Sequence, residues 1–317
     1  MGAAQYSLFP EATGPSLRDI AEAVRLAGGD LEQGLEGAVL RADQARYQEV
    51  HVKSALNRAQ GMPFHWALNP YRGCTHACEY CYARKYQRHL ELDAGDTFSS
   101  VIFVKTNLPQ VLAREVRRAS WAREGVAIGT ATDPYQPIEG HYRLTRRAIV
   151  ILAEAHTPVS IVTKGPMIVR DADVLVTARD AAGCTVHMSV PSVDADAWQK
   201  LEPGTASPAQ RLRAVRQLGD AGIDAGVLMM PLLPGITTSR RAITDTLTAI
   251  RDAGARFIGA NVARLDDGVR EHFFAFIQRE YPHLLDGYLR LYAKTTAPKR
   301  YLGAVKDVVR DARASIG

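Results

Sequence analysis

The chain has 317 residues, the length of one large or two modest domains. Its 23% of charged side chains is ordinary for a globular protein, and its net charge is +5. No apolar run reaches the roughly 18 residues that a membrane span needs. The N-terminus has no basic region followed by an apolar one, so we expect no secretory signal and a cytoplasmic protein. Four cysteines in so long a chain do not make a disulfide scaffold. Three of them are clustered, which indicates metal or redox chemistry.

Residues 1–63 are predicted to form an N-terminal arm, helical or irregular. Within it, residues 16–29 carry apolar side chains at helical spacing and end in two glycines, so an amphipathic helix is predicted there. The rest of the arm is charged, and no run before about residue 60 has the pattern of a strand.

Residues 64–268 alternate short apolar runs with helical patterns. The runs are HWALNPY, VIFVKTN, GVAIGTATD, PVSIVTKG, TVHMSVPS, AGVLMMPLLP and RFIGANVARL. This alternation predicts a parallel sheet covered by helices, with about six core strands and VIFVKTN as an extra piece before a helix near Asn107. We therefore predict an α/β fold, a partial (β/α)6 TIM-like barrel. Its functional residues should lie at the C-terminal ends of the strands.

Several helices have clear sequence signals. LTRRAIVILAEA carries one apolar face, and SRRAITDTLTAIRDAG stops at Gly254. In SPAQRLRAVRQLGDAG, Ser207 is the predicted N-cap, Pro208 takes the first helical position, and Gln210 completes a capping box. Residues 269–317 read as a C-terminal helical extension that packs against the barrel or closes its mouth.

The cysteine cluster is a C-x3-C-x2-C arrangement of Cys74, Cys78 and Cys81. A structural zinc site needs four protein ligands, and His76 is the one candidate for the fourth within the motif. Cys184 opens a strand about 100 residues away and reads as a buried core residue. An iron–sulfur cubane takes four thiolates, so three would leave one iron with an open position for a substrate or cofactor.

This cysteine spacing in the loop after the first barrel strand resembles the radical S-adenosylmethionine (SAM) superfamily, and Tyr80, just before the third cysteine, fits that pattern too. A narrower likeness covers about residues 64–265. It is carried by NPYRGCTHACEYCYAR, TDPYQPIE, VTKGPMIVRD and MMPLLPGIT. These segments look like the branch known as DNA repair photolyase, which is related to spore photoproduct lyase, and like an actinobacterial-type subgroup of undefined substrate.

The resemblance implies a 4Fe–4S cluster on Cys74, Cys78 and Cys81, with the amine and carboxylate of SAM on the fourth iron. One electron, from a donor such as flavodoxin or ferredoxin, then cleaves SAM to methionine and a 5′-deoxyadenosyl radical, which abstracts hydrogen from an unidentified substrate. A nucleic acid is one candidate substrate class.

The resemblance also implies residues for the methionyl end of SAM. The segment after the second barrel strand would receive the amine, which makes Thr132 and Asp133 candidates, with Glu139 behind them. Turn chemistry is the alternative for Asp133. Lys164, at a strand end, would bind the carboxylate. Arg211 would assist it, although an arginine on a helix is more often exposed.

For the nucleoside end of SAM, the resemblance implies contacts from the next two strands. Ser189 would bind the ribose hydroxyls, with Ser192 as a second choice, and either serine is otherwise a cap or turn residue. Met230 and Pro231 would lie against the adenine. Tyr80 would pack near the adenine and shield the cluster.

The likeness has a clear departure. Spore photoproduct lyase uses a cysteine hydrogen donor just before the segment that matches TATD, and the matching position here is Thr130. A threonine hydroxyl does not donate a hydrogen atom as a thiol does. Tyr80, Tyr82 and Tyr135 are the alternatives for that role, and packing is the simpler interpretation of each. His76 is interpreted as a solvated loop residue, and the alternative is that it forms a hydrogen bond near the cluster and tunes its potential.

Two other functions stay open from the sequence. One is radical SAM modification of a peptide or metabolite, and the other is a non-catalytic binding protein stabilised by a metal. Basic residues near the C-terminus would suit a phosphate backbone, but acidic residues among them favour a solvated helix face. They are Lys294, Lys299, Arg300, Lys306, Arg310 and Arg313, with Asp307 and Asp311 interspersed.

Overall fold

A computed structural model describes residues 36–59, 61–90 and 97–316. The helix predicted over residues 16–29 lies outside these ranges. No helix in the described ranges combines the length and the hydrophobicity required to span a bilayer.

The chain alternates strands and helices through its middle part. The strands are β1 (Arg46–Val50), β2 (Leu56–Arg58), β3 (Trp66–Leu68), β4 (Tyr71–Arg72), β5 (Val101–Lys105), β6 (Val126–Ile128), β7 (Val159–Thr163), β8 (Cys184–Ser189), β9 (Asp224–Leu232) and β10 (Ile258–Val262). The α-helices are α1 (Glu36–Gln44), α2 (Thr97–Ser100), α3 (Leu108–Val116), α4 (Glu139–Tyr142), α5 (Leu144–Glu154), α6 (Ala172–Ala181), α7 (Ala195–Leu201), α8 (Pro208–Asp220), α9 (Arg240–Asp252), α10 (Val269–Glu280), α11 (Leu285–Leu291) and α12 (Lys299–Ile316). The 3-10 helices are Tyr82–Leu90, Pro166–Asp171 and Pro282–Leu284.

The main sheet has the predicted partial-barrel topology. Its strand order is β10-β9-β8-β7-β6-β3-β2, in which β3 and β6 to β10 run parallel and β2 pairs antiparallel with β3 at one edge. Apolar residues of these strands and of α3, α5, α6, α8 and α9 form one core, as covering helices on a parallel sheet require. The six parallel strands confirm the predicted α/β fold. Their C-terminal ends define the mouth of the barrel.

A small second sheet packs beside the barrel, in the order β1-β5-β4. The prediction that no strand occurs before residue 60 is wrong, because β1 and β2 both lie there. In β1 only Tyr47 is buried, so the strand shows no run of alternating apolar residues. Its pairing partner β5 is about 50 residues away, and sequence periodicity carries no information about that pairing.

The helix signals in the sequence are confirmed where they are local. Ser207 Oγ accepts a hydrogen bond from the Gln210 amide at 3.3 Å, and Gln210 Oε1 accepts one from the Ser207 amide at 2.9 Å. This capping box starts α8, whose apolar stripe contains Leu212, Val215 and Leu218. Ser239 likewise caps α9 through the Ala242 amide. Each cap satisfies backbone donors that the first helical turn leaves free.

The C-terminal helices contact two parts of the barrel. Aromatic residues of α10 and α11, among them Phe273, Phe276 and Tyr288, form a cluster with Cys78 and Tyr80, so these helices lie on the cysteine loop. Helix α12 packs on α9 and β10 instead. The division into an arm (1–63), a barrel (64–268) and an extension (269–317) stays a prediction.

The capping box of α8 yields a stability prediction. Ser207→Ala should lower the free energy of unfolding by about 1 kcal/mol, because the side-chain acceptor for the Gln210 amide is lost. Urea denaturation measures it. Ser120→Ala, at an exposed position in a turn, is the matched control and should leave the midpoint unchanged. Equal losses in both variants would contradict the capping role.

Candidate active site

The three clustered cysteines lie on a loop that begins after β4 and leads into the 3-10 helix at Tyr82. Cys74 and Cys78 are buried, while Cys81 is partly exposed. Burial raises the pKa of the Cys74 thiol, and Asp133 and the two other thiols raise it further. Cys81 packs against the hydrophobic cluster that contains Cys78 and against the one that contains Cys74, so the three cysteines lie in one region of the structure.

The start of the loop is fixed by backbone contacts rather than by regular structure. Gly73 has a φ of 82°, and a Cβ at this position would lie 2.6 Å from the Val101 carbonyl oxygen, so only glycine fits. The Gly73 carbonyl accepts a hydrogen bond from Thr132 Oγ1 at 2.6 Å. Two residues further, the Thr75 amide donates to Gln136 Oε1 at 3.1 Å. Residues after β6 therefore hold the cysteine loop in place.

The middle of the loop is held by an arginine and a glycine. Arg84 donates from Nε to the Cys78 carbonyl at 3.1 Å and from Nη2 to the Ala77 carbonyl at 3.2 Å. Gly204 lies so close that a Cβ there would be 2.2 Å from the Thr75 carbonyl oxygen. These contacts involve the carbonyl groups of the loop and not the cysteine side chains.

Asp133 links the cysteine loop to the end of β7. Its Oδ1 accepts the Thr163 hydroxyl at 2.6 Å, its Oδ2 accepts the Lys164 amide at 2.7 Å, and His76 Nδ1 lies 3.3 Å from Oδ2. Burial acts to raise the pKa of Asp133, but His76 and these hydrogen bonds outweigh it and hold the pKa below its usual range. The interpretation of His76 as a solvated loop residue is wrong. Its side chain is 5% exposed because it packs against this carboxylate.

A buried cluster of charged and polar groups lies at the ends of β7 and β8. Lys164 Nζ is 2.7 Å from Ser189 Oγ and 3.6 Å from Glu202 Oε1. Arg211 donates to Glu202 Oε2 at 2.5 Å and to the Ser189 carbonyl at 2.7 Å. The Tyr80 hydroxyl donates to Glu202, and Lys164 Nζ lies 5.6 Å from the centre of its ring. We call these five residues the Glu202 cluster.

The Glu202 cluster carries a net positive charge. Burial alone would lower the pKa of Lys164, but the Glu202 carboxylate outweighs it and the pKa lies above its ordinary value. Burial would raise the pKa of Glu202, but Arg211 and Lys164 hold it below its usual range. Two cations therefore face one carboxylate. Burial raises the pKa of the Cys78 thiol, and Lys164 and Arg211 oppose that rise. The surplus positive charge of the Glu202 cluster therefore favours an anion beside Cys78.

Sequence reasoning missed one residue of this cluster, Glu202, and the burial of another, Arg211. Arg211 was expected to be exposed on its helix, and that expectation is wrong because its side chain is completely buried. Glu202 was not predicted at all, since Glu-Pro-Gly between two helices reads as a turn. One signal was present: Arg211 falls on the same helical face as Val215 and Leu218, which are core residues.

The other residues assigned to SAM lie at the expected strand ends. Ser189 ends β8, and its hydroxyl is 3.5 Å from the Met230 carbonyl. Pro231 is partly buried near the end of β9. Ser192 accepts the Asp194 amide at 3.1 Å, which fits a local turn role. Glu139 lies elsewhere: it is buried and accepts hydrogen bonds from the first amides of α5, so it supports the fold.

Thr130, the position that matches the cysteine hydrogen donor of spore photoproduct lyase, lies just after β6 at the mouth of the barrel. The Tyr82 hydroxyl donates to the Thr130 carbonyl, and Asn69 Nδ2 is 3.3 Å from Thr130 Oγ1. Tyr82 is 44% exposed, whereas Tyr135 is 1% exposed and packs inside the core. Cys184 is a buried core residue, as predicted.

Within residues 36–59, 61–90 and 97–316, no group of three or more His, Cys, Asp and Glu side chains has the arrangement of a metal-ion site. His76 pairs with Asp133 rather than with the thiols. The structure thus shows no four-ligand zinc site in that part of the chain.

The Glu202 cluster yields a second prediction. Glu202→Gln should lower the free energy of unfolding by about 3–5 kcal/mol, because Lys164 and Arg211 would stay buried without their carboxylate. Tyr80→Phe is the matched control. It removes one hydrogen bond to Glu202 but no charge, and should cost about 1 kcal/mol. Equal losses in urea denaturation would show that charge balance does not matter here.

Comparisons with known proteins agree with this fold. An uncharacterized protein of Mycobacterium tuberculosis is 38% identical over 255 residues, which cover 80% of this chain and 75% of the relative. A radical SAM Nalpha-GlyT isomerase of Pseudomonas phage M6 is 26% identical over 198 residues, or 62% of this chain and 39% of the relative. A spore photoproduct lyase mutant with bound AdoMet and dinucleoside spore photoproduct has the same fold. Its TM-score is 0.65 at 15% identity, and the match covers 94% of this chain and 91% of that one.

The sequence profile of the radical SAM superfamily matches residues 68–271, which include the cysteine loop, Lys164 and the Glu202 cluster. The chain therefore belongs to the radical SAM superfamily and is an enzyme of that superfamily.

Proposed function

We propose that this enzyme binds a 4Fe–4S cluster and SAM at the mouth of its barrel and abstracts a hydrogen atom from a nucleic-acid substrate. The observation that carries the cofactor part is the surplus positive charge of the Glu202 cluster beside Cys78. The substrate class is supported by two similar proteins, since a dinucleoside spore photoproduct is bound in the lyase structure and the phage relative is named a Nalpha-GlyT isomerase.

The residues present fit the cofactors. Cys74, Cys78 and Cys81 would each hold one iron, because three thiols lie on a loop whose carbonyl groups are already engaged. When bound, the cluster and SAM supply an electron and a sulfonium C–S bond whose cleavage gives methionine and a 5′-deoxyadenosyl radical. The chain supplies position and exclusion of water.

The methionyl carboxylate of SAM would be bound by Lys164. The Lys164 side chain is 14% exposed, and its ammonium group is already oriented by Ser189 and Glu202. Arg211 adds a second positive charge and keeps Glu202 from neutralising Lys164 completely. Asp133 holds the backbone of Lys164, so the strand end presents its side chain in one direction. Thr132 would take part on the amine side.

The nucleoside of SAM would extend along the ends of β8 and β9. Ser189 would bind a ribose hydroxyl, and Pro231 would give the adenine an apolar surface. Tyr80 would shield the cofactor, because its ring lies beside Lys164 and its hydroxyl is bound to Glu202. The substrate would then be received at the mouth, where Thr130 and Tyr82 meet.

The net reaction differs in one respect from that of a lyase with a cysteine donor. Thr130 occupies the matching position, and its carbonyl accepts a hydrogen bond from Tyr82, an exposed side chain that can donate a hydrogen atom. We propose that the substrate-derived radical is not quenched by a thiol at this position. A rearrangement or a hydrogen return from 5′-deoxyadenosine suits such a site.

Anaerobic reconstitution tests the cofactor proposal. With dithionite and SAM, the wild-type protein should form 5′-deoxyadenosine, and SAM should change the EPR signal of the reduced cluster. Cys78→Ala should abolish both, because one iron loses its ligand. Cys184→Ala is the matched control, since it removes a buried thiol from the core and should keep both signals. A wild-type protein that shows neither signal would refute the proposal.

The role of Lys164 gives a further prediction. Lys164→Gln should weaken SAM binding roughly 10- to 100-fold, because a charge-assisted hydrogen bond of about 1.5–3 kcal/mol is lost. Equilibrium dialysis of the reconstituted protein measures this. Lys200→Gln removes a lysine whose partner Asp196 is exposed, and SAM affinity should not change. Unchanged affinity in Lys164→Gln would assign the carboxylate to another group.

Deuterium transfer tests the substrate class. Oligonucleotides labelled with deuterium should pass label into 5′-deoxyadenosine, and labelled peptides should not. Label from peptides or metabolites alone would favour the alternative chemistry on those molecules.

A further inference from the structure

One face of the second sheet carries basic residues and an aromatic ring. Tyr47, Tyr71, Ile102 and Val104 pack inward in a hydrophobic cluster. Because side chains alternate along a strand, the residues between them point to the opposite face. The register places Arg72 opposite Phe103 and Phe103 opposite Gln48, while Arg46 lies opposite the buried Val101. Arg46, Arg72, Phe103 and Lys105 share this face, and we call them the basic face.

The cations of the basic face lack acidic partners among the described residues. Arg72 forms no ion pair there, and Lys105 donates only to the Asn69 carbonyl, at 2.7 Å. Burial lowers the pKa of Lys105 to about 8, and Arg72 lowers it as well, so the two cations repel each other. Phe103 lies between the strands of Arg72 and Arg46 and is partly exposed. An anion here would relieve the repulsion.

Basic residues elsewhere are arranged differently. On α12, Arg310 pairs with Asp307 at 2.6 Å and with Asp311 at 3.1 Å. Lys85, close to the cysteine loop, pairs with Asp266 at 2.6 Å. The residues near the C-terminus that seemed suited to phosphate are thus partly neutralised by their own helix. The basic face has no such compensation in the described part of the chain.

The basic face is joined to the mouth of the barrel by direct contacts. Lys105 Nζ donates a hydrogen bond to the carbonyl of Asn69, which follows β3. The side chain of Asn69 bonds Thr130 and accepts the Ala131 amide at 2.8 Å, both just after β6. Thr130 in turn accepts the Tyr82 hydroxyl. These contacts place the Lys105 end of the basic face beside the residues that follow β6 at the mouth.

We propose that the basic face binds the phosphodiester backbone of a single-stranded nucleic acid and leads one of its bases into the barrel mouth. The inference rests on the proposed function and names the surface that delivers its substrate. Phosphates would contact Arg72 and Lys105, and a base would stack on Phe103. Cations combined with one aromatic ring match the way proteins bind single strands without reading sequence. A base in a duplex would first have to be flipped out.

Fluorescence anisotropy with a labelled 12-nucleotide single strand tests the surface. The double variant Arg72→Gln and Lys105→Gln should bind about 20-fold more weakly at 0.1 M salt, since each lost phosphate contact removes about 0.7 from the slope of log K against log salt. That slope should fall by about 1.4. The control is Lys306→Gln with Arg313→Gln, which removes the same charge from exposed positions on α12 and should leave binding unchanged.

Two single variants distinguish a loss of binding from a loss of folding. If the double variant melts at a lower temperature, Arg72→Gln alone should weaken binding about fivefold. Arg72→Lys keeps the charge and should bind as the wild type. The proposal is overturned if the double variant binds like the wild type, if the α12 control loses as much, or if the wild type binds no strand. A duplex of the same sequence that binds as tightly would overturn the choice of a single strand.

SAM cleavage by the wild-type protein is measured in parallel, without nucleic acid. If SAM is cleaved but the basic face proves inert, the surface proposal fails and the proposed cofactor chemistry stands. If SAM is not cleaved, the proposed chemistry fails whether or not a strand binds.

Discussion

The Glu202 carboxylate is the group on which the proposed active site depends most. It is almost completely buried and is contacted by Arg211, Lys164 and Tyr80, which come from three separate parts of the chain. Removing charges from water costs several kcal/mol per ion, so such a cluster persists only when its partners are well placed. Glu202 thus fixes the cysteine loop through Tyr80, the end of β7 through Lys164, and α8 through Arg211. The same carboxylate stabilises two cations but neutralises only one of them. That imbalance is what makes the site receptive to an anion.

The cysteine loop is held in place through its main-chain atoms. Its residues have no strand or helix pairing, so its backbone polar groups need partners from elsewhere. Arg84, Thr132 and Gln136 provide them, and Gly73 and Gly204 allow the close approach. Because these contacts engage main-chain atoms, the loop is held without use of the thiols. A loop of this kind suits a group whose binding demands fixed sulfur positions, since ordering the ligands in advance reduces the entropy that binding must overcome.

How far the sequence predicts this structure depends on the range of the interaction. The six parallel strands, the capping box at Ser207 and the buried Cys184 follow from patterns within about a dozen residues, and the structure confirms them. Lys164 at its strand end was predicted from the family resemblance. The pairing of His76 with Asp133, and of Glu202 with Arg211, joins segments whose proximity is a property of the folded chain. Strand β1 is missed for the same reason, because its partner is β5.

Charge at the surface follows the same rule of balance as charge in the core. In the Glu202 cluster, an unbalanced cation is held where a small anion from a cofactor would fit. On the basic face, Arg72 and Lys105 are unbalanced in a partly exposed sheet that is connected to the mouth through Asn69 and Thr130. A half-buried lysine whose pKa is lowered to about 8 is a cost to the folded chain unless a ligand compensates it. Two unbalanced positive sites, one deep and small and one open and extended, are what an enzyme needs if it must bind both a carboxylate and a polyanion around one reactive carbon.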